Sequence, residues 1–294
     1  MTLPIQRAAP PWLQRLEEER PEGVPDATVW NLRGMLAWWR EYPNAMDFLA
    51  EGAENRAIKA LQTRLYREAL GGVLSPSKPS RILDAACGIG RFAVPLAEAG
   101  HRVDGIDACL PSLEAAARHG AHTRGLSLTW GDVTTLDERF PEASYDLVLA
   151  FELLCYVPDI AEVVARLSTR LKPGGVLIAS VEAWPGALLA DPSGLGIGDL
   201  AEVLRTRVIS EPDERWVQAC EPSELAAILL DAGLKPPSIV GTHYVPDGPM
   251  AALLEHDRIG DREYDDAICD LERQLRTDPD LGRLPRAWLL VAER

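Results

Sequence analysis

From residue 80 to about residue 181 the chain alternates short apolar runs with longer periodic stretches, and this pattern narrows the fold more than any other feature. The strand candidates are Arg81 to Ala85, Arg102 to Ile106, Leu126 to Trp130, Leu147 to Phe151 and Gly175 to Val181. Between them lie helix candidates at Arg91 to Ala99, Leu110 to His119 and Ile160 to Leu171. Strands separated by helices pair in parallel through right-handed crossovers. Two later runs, Ser238 to Tyr244 and Ala287 to Ala292, read as further strands, with about 40 charged, helix-patterned residues between them. A hairpin needs only a few connecting residues, so that stretch is an inserted element. The expected fold is α/β: a doubly wound, mostly parallel, seven-stranded sheet with helices on both faces.

The first 80 residues read as helical. Asp26 is a candidate N-cap for a helix over Thr28 to Arg40, which Pro43 stops. Ile58, Leu61, Leu65 and Ala69 recur at helical spacing from Ala57 to Leu70, and Gly71-Gly72 ends that stretch. Ser75 to Ser80 has the composition of a linker. The expected organisation is an N-terminal helical cap or substrate lid over 1–75 and a main domain over 76–294. Within the main domain, a Gly- and Pro-rich lid falls at about 184–215 and a helical insertion at about 246–284.

Charge excludes several classes of partner. Lys+Arg 30 against Asp+Glu 45 gives a net charge of −15. Such a surface repels phosphate, so neither nucleic acid nor an anionic membrane is an expected partner. No apolar run approaches the roughly 18 residues needed to span a bilayer, and the first residues lack the apolar stretch of a secretion signal. The five cysteines show no CxxC spacing. A cytoplasmic location is expected.

The chemical signal begins at Ile82-Leu83-Asp84-Ala85-Ala86-Cys87-Gly88-Ile89-Gly90-Arg91-Phe92-Ala93. An apolar strand ends in an acid, then a small-residue loop, then a helix. Gly88 and Gly90 let the backbone turn tightly and approach a ligand, and the helix aims free N–H groups into the crevice. Alone, Gly88-x-Gly90-x-x-Ala93 also fits a dinucleotide loop. Two further acids sharpen the reading. Asp107 ends the second strand, 19 residues after Gly88, where a ribose-diol partner is expected. Asp132 follows the third strand, where a carboxylate can accept from an exocyclic amino group.

Together these segments resemble the class I S-adenosylmethionine-dependent methyltransferases over residues 80–182. Ile82 to Gly90 matches the family's first motif, Asp107 its ribose-binding acid, and Gly131-Asp132-Val133 its adenine-binding acid and neighbour. Tyr145 to Phe151 matches the fourth strand, and Leu171-Lys172-Pro173-Gly174-Gly175 the turn into the fifth. The resemblance implies S-adenosylmethionine as cofactor and S-adenosylhomocysteine as product, held by Asp84, Ala86, Cys87, Gly88, Gly90, Arg91, Asp107, Ala108, Asp132, Val133 and Phe151. Ala86 stands where many members have glycine, a change expected to have only a slight effect. Some quinone-biosynthesis O-methyltransferases of the family carry Glu-x-x-Glu-His after the fourth strand. Here Phe151-Glu152-Leu153-Leu154-Cys155-Tyr156 keeps one carboxylate and adds a thiol and a phenol. That is a poor hard-metal site, so no metal is expected.

Methyl transfer from a sulfonium is an in-line displacement in which the protein supplies position and electrostatics. Glu152 and Tyr156, just past the fourth strand, are the candidate groups for contacting or deprotonating the acceptor. Trp38, Trp39 and Tyr42 in the cap, Trp184 past the fifth strand and His243 at a late strand end are candidate substrate walls. The expected substrate is a small molecule, such as a secondary metabolite, with an O or N acceptor; a short peptide is the alternative. The extra helices could also build a homodimer. An NAD-dependent oxidoreductase would share the glycine loop and Asp107, but not Asp132 or the terminal strand pair. A catalytically silent cofactor-binding protein would keep every one of these motifs.

Overall fold

The computed structural model describes residues 2–75, 78–190, 196–211 and 215–294. Its strands are β1 (Ile5–Arg7), β2 (Arg81–Ala85), β3 (Arg102–Asp107), β4 (Leu126–Trp130), β5 (Tyr145–Ala150), β6 (Leu171–Ala183), β7 (Val208–Glu211), β8 (Arg215–Cys220), β9 (Ser238–Thr242) and β10 (Ala287–Glu293). The sheet order is β1-β4-β3-β2-β5-β6-β10-β9, with β8 against the end of β6 and β7 against β8. From β4 to β6 all neighbours are parallel, while β10 runs antiparallel to both β6 and β9.

The seven expected strands are all present, from β4 through β9 in sheet order. Three more bring the total to ten, which corrects the count. The first addition, Ile5–Arg7, also corrects the all-helical reading of the N-terminus. Three extended residues pair with the otherwise open edge of β4, and Ala8 N–H donates to the Trp130 carbonyl at 2.9 Å. Covering that edge removes a row of unpaired backbone groups. The other two, β7 and β8, form an antiparallel pair that starts inside the stretch expected to be a lid and runs just past it. That stretch also contains helices at Gly186–Ala190 and Ile197–Thr206, so the loop reading from Trp184 onward is corrected as far as the described residues go. Its Gly and Pro content masked short elements.

Helices cover both faces. Val163, Val164 and Leu167 of the helix Ile160–Arg170 and Leu225 and Leu229 of Pro222–Asp231 pack on one side. Val94 and Ala97 of Ala93–Glu98, Leu113 and Ala116 of Leu110–His119, and Tyr66 and Leu70 of Arg56–Gly71 pack on the other. The helix Asp26–Glu41 starts one residue after Pro25. Asp26 is therefore inside it, ion-paired to Arg20, and does not cap it. Asn31 fastens this helix across the sheet's carboxyl edge. It donates to the Trp216 and Tyr156 carbonyls at 2.8 and 3.2 Å and accepts from Trp216 N–H at 2.7 Å. Among the described residues no helix is long and apolar enough to cross a membrane.

Between β9 and β10 the chain makes short helical turns and then the helix Arg262–Thr277, which forms a third apolar cluster with Leu61 and Leu65. Inside that cluster Glu272 is fully buried, and its Oε1 accepts from Val245 N–H at 2.8 Å. Burial pushes this carboxyl's pKa up, opposed by the amides of Val245, Tyr244 and His243. The bond pins the turn that follows β9. Glu272→Ala should leave a buried amide without a partner and destabilise the protein by about 1–3 kcal/mol, read as a lower urea midpoint at an unchanged slope.

Candidate functional site

The chain leaves β2 toward β3 and β4 on one side and toward β5 and β6 on the other. A crevice opens at the carboxyl edge of parallel strands where the order reverses in this way. The loop Ala86–Gly90 borders it. Gly88 and Gly90 have φ of +52° and +84°, and a Cβ on Gly90 would lie 2.7 Å from Val94 Cγ2 and 3.3 Å from Ala116 Cβ. Glycine at position 90 is what lets the next helix sit this close. Ala86 takes φ 62°. For an alanine this left-handed conformation costs roughly 1–2 kcal/mol, so the substitution at this position carries more strain than its small size suggests.

Asp107 ties the loop to the end of β3. Its Oδ2 accepts from Gly88 N–H at 2.8 Å, and its Oδ1 accepts from Cys109 N–H at 2.7 Å. Asp84 lies beneath the loop, 2% exposed, and its Oδ2 has no hydrogen-bond partner among the described residues. Burial, reinforced by the nearby Asp107 carboxylate, raises the Asp84 pKa to about 7. Cys87 is buried against β3, where a Cβ on Gly105 would meet its sulfur at 2.9 Å. Asp132 caps the turn Val133–Thr135 by accepting from Thr134 N–H at 2.8 Å, and Val133 is buried. Trp130 Nε1 donates to the Ala108 carbonyl at 2.9 Å. All of these residues sit along one rim, at the ends of β2, β3 and β4.

On the other side of the crevice, past β5, Glu152 takes φ 54° and its N–H donates to Ser180 Oγ at 2.8 Å. Its side chain keeps 47% of its surface open to solvent and accepts from Arg91 Nη1 at 2.9 Å. Burial works to raise its pKa, but Arg91, Lys59 and Arg286 outweigh that and hold the carboxyl at about 2. Arg91 is itself buried and also donates to Thr63 Oγ1 at 2.6 Å and to the Lys59 carbonyl at 3.4 Å. Arg286 is paired with Glu182 at 3.0 Å and with Asp247.

His243 completes this side. It is 3% exposed, takes φ 60° and stacks on Tyr66 at 4.4 Å between ring centroids. Its Nδ1 lies 3.1 Å from Thr242 Oγ1, and its Nε2 has no partner among the described residues. Burial lowers its pKa to about 3, with the Glu152 carboxylate opposing, so the ring is neutral. Tyr66, Phe92 and Phe151 form a ring stack beside it, with Phe92 and Phe151 at 4.4 Å.

The structure separates some expected partners and unites others. Phe151 is buried in the ring stack. Tyr156 is only partly buried, and burial raises its pKa, so its hydroxyl keeps its proton. Trp39 Nε1 donates to Ser112 Oγ at 2.9 Å, whereas Trp38 and Tyr42 stack on each other at 5.4 Å on the exposed face of their helix. Trp184 is half-buried beside β8, its N–H bonded to the Cys220 carbonyl at 3.0 Å. Sequence reasoning missed Lys59, Thr63, Tyr66 and Arg286. The first three follow one another at helical spacing on a helix read from its apolar stripe Ile58, Leu61, Leu65 and Ala69, and that second stripe was the available signal.

A family model described as a methyltransferase domain matches residues 83–179. The ubiquinone biosynthesis O-methyltransferase of Bordetella bronchiseptica is 31% identical over 212 residues, 71% of this chain and 80% of that protein. The chain belongs to the class I S-adenosylmethionine-dependent methyltransferases. Its Bordetella avium relative of the same name is 29% identical over 71% of this chain and 80% of its own length. Two solved methyltransferases share the fold. The Burkholderia thailandensis 1,6-didemethyltoxoflavin-N1-methyltransferase gives a TM-score of 0.54 at 20% identity, covering 94% of this chain and 92% of its own. The Synechocystis magnesium protoporphyrin IX methyltransferase with bound S-adenosylmethionine gives 0.56 at 14%, covering 94% and 100%.

This methyltransferase uses S-adenosylmethionine as cofactor. The raised Asp84 pKa has a measurable consequence for the protein without it. In the unfolded chain the carboxyl ionises near pH 3.9, and in the native protein near 7. The native state therefore binds the proton more tightly, and this group's contribution to stability falls as pH rises from about 4 to 7. The stability of Asp84→Asn relative to wild type should rise across that window and level off above it, as measured by urea unfolding at a series of pH values.

Proposed function

We propose that this methyltransferase methylates an acidic, phenol-like hydroxyl on a small molecule. The observation that carries this reading is the commitment of Glu152 to cations: its carboxylate accepts from Arg91 Nη1 at 2.9 Å and is held at a low pKa by Arg91, Lys59 and Arg286, while burial lowers the pKa of the neighbouring His243. A general base works best with a pKa near the operating pH. A carboxylate held at 2 by its cations is a fixed negative charge, and it does not store a proton. The acceptor must then be acidic enough to lose its proton to solvent with little help. The O-methyltransferase names of the Bordetella relatives support oxygen as the acceptor atom.

The first rim fits the cofactor. The unpartnered, buried Asp84 Oδ2 calls for a donor such as an ammonium group, and the tight glycine loop leaves room for a ligand against the backbone. We assign Asp84 and the Gly88–Gly90 loop to the amino-acid end of S-adenosylmethionine, Asp107 with Ala108 to the ribose, and Asp132 with Val133 to the adenine. When bound, the cofactor supplies the methyl group from its sulfonium. The chain's own residues then set the acceptor. In the tautomer that donates Nδ1–H to Thr242, His243 offers a lone pair at Nε2 to the substrate's hydrogen-bond donor. The helices Asp26–Glu41 and Arg56–Gly71 act as the cap that keeps water from the reacting atoms.

Release of S-adenosylhomocysteine should be screened with phenols, catechols, aliphatic alcohols, alkyl amines and short peptides as acceptors. Turnover is expected among phenols and catechols. Turnover confined to peptides or alkyl amines contradicts the reading. With an active acceptor, Glu152→Gln should lower kcat by less than the roughly 100-fold that loss of a general base costs.

A further inference from the structure

A cavity of about 1090 Å³ among the described residues lies away from the crevice. It opens at the amino edge of the sheet, where β3 and β4 begin. The chain carries a net charge of −15, yet four arginines and three histidines line this cavity against two acids, Glu98 and Asp104. Several of the cations are already committed. Arg81 is bonded to Asp104 at 3.0 Å, Arg139 is paired with Asp137, and His119 lies 2.6 Å from Asp47. Arg102, Arg124 and His122 have neither an ion pair nor a side-chain hydrogen bond among the described residues.

Strand pairing brings these free groups together. Val103 pairs with Leu126, and its N–H donates to the Gly125 carbonyl at 2.8 Å. This register sets Arg102 opposite Gly125, so Arg102 and Arg124 stand at the starts of neighbouring strands, one position out of register, and both line the cavity. A histidine lies one position before Arg102 and two before Arg124, in His101-Arg102 and His122-Thr123-Arg124. His101 is buried and its Nδ1 accepts from Ser80 N–H at 3.1 Å. That bond places the proton of the neutral ring on Nε2, making the other nitrogen a donor. Asp104 is ion-paired with Arg81 and also accepts from Tyr145 Oη at 3.0 Å, which leaves Glu98 as the one lining carboxylate without a partner among the described residues.

We propose that this cavity binds a small polyanion carrying two or more phosphate groups. Two guanidinium groups that line one cavity without an ion pair among the described residues can each take a phosphate, because each planar fork can bind oxygen atoms in pairs. The acidic remainder of the surface repels anions in general, so a local basic site selects ligands with enough charge to engage both arginines at once. The cavity lies at the edge of the sheet opposite the cofactor crevice, so the two sites can be filled together.

Calorimetric titration of pyrophosphate into the full chain at low ionic strength tests this. One saturable site is expected, and Arg102→Ala/Arg124→Ala should weaken it at least about tenfold. Arg67→Ala/Arg283→Ala, which removes two exposed arginines elsewhere, should leave it unchanged, with both variants checked for folding by circular dichroism. Absence of saturable binding, or equal weakening in both variants, overturns the proposal.

Discussion

One carboxylate sets the shape of the crevice. Asp107 accepts from Gly88 N–H and from Cys109 N–H, at 2.8 and 2.7 Å. It thereby joins the turn after β2 to the turn after β3. These are neighbouring strands, and the crevice lies where their carboxyl ends meet. Without that bridge the glycine loop would lose the contact that fixes its distance from the rim. The left-handed Ala86 stores strain next to the same bridge. Burial raises the Asp107 pKa, while the amides of Cys109 and Gly88 oppose it, so the same hydrogen bonds that hold the loop also favour the charged form.

The opposite rim follows a different logic. Glu152 and His243 on this rim, like Ala86 on the first, are among the six non-glycine residues with positive φ among the described residues, and each follows a strand that ends at the carboxyl edge. Such conformations persist where surrounding structure over-determines them. At Glu152 the determinants are Ser180 and Arg91; at His243 they are the Tyr66 ring and the turn pinned by Glu272. Arg91 links the rims. It opens the helix-ward side of the glycine loop and ends on Glu152, crossing Thr63 and the Tyr66 and Phe92 rings on the way.

The parts legible in the sequence were those with local signatures. Alternating runs marked the seven central strands to within a few residues, because parallel strands buried on both faces read as continuous apolar segments. Asp84, Asp107 and Asp132 were legible because each directly follows or ends such a run. Ile5–Arg7, Val208–Glu211 and Arg215–Cys220 were not, since three to six residues at a sheet margin carry almost no periodic signal. The cluster around Glu152 was hidden for another reason. Lys59, Glu152, His243 and Arg286 are separated from one another by 93, 91 and 43 positions along the chain. Only the packing of the helix Arg56–Gly71 and the turn after β9 against β5 and β6 brings them to one place.

The most direct test of the central assignment is calorimetric titration of S-adenosylhomocysteine into wild type and Asp107→Ala, with NAD as a control ligand. One saturable site is expected in the wild type, weakened at least about tenfold in a variant whose circular dichroism is native, with no binding of NAD. Equal affinity in the two proteins, or saturable binding of NAD in place of S-adenosylhomocysteine, contradicts the account.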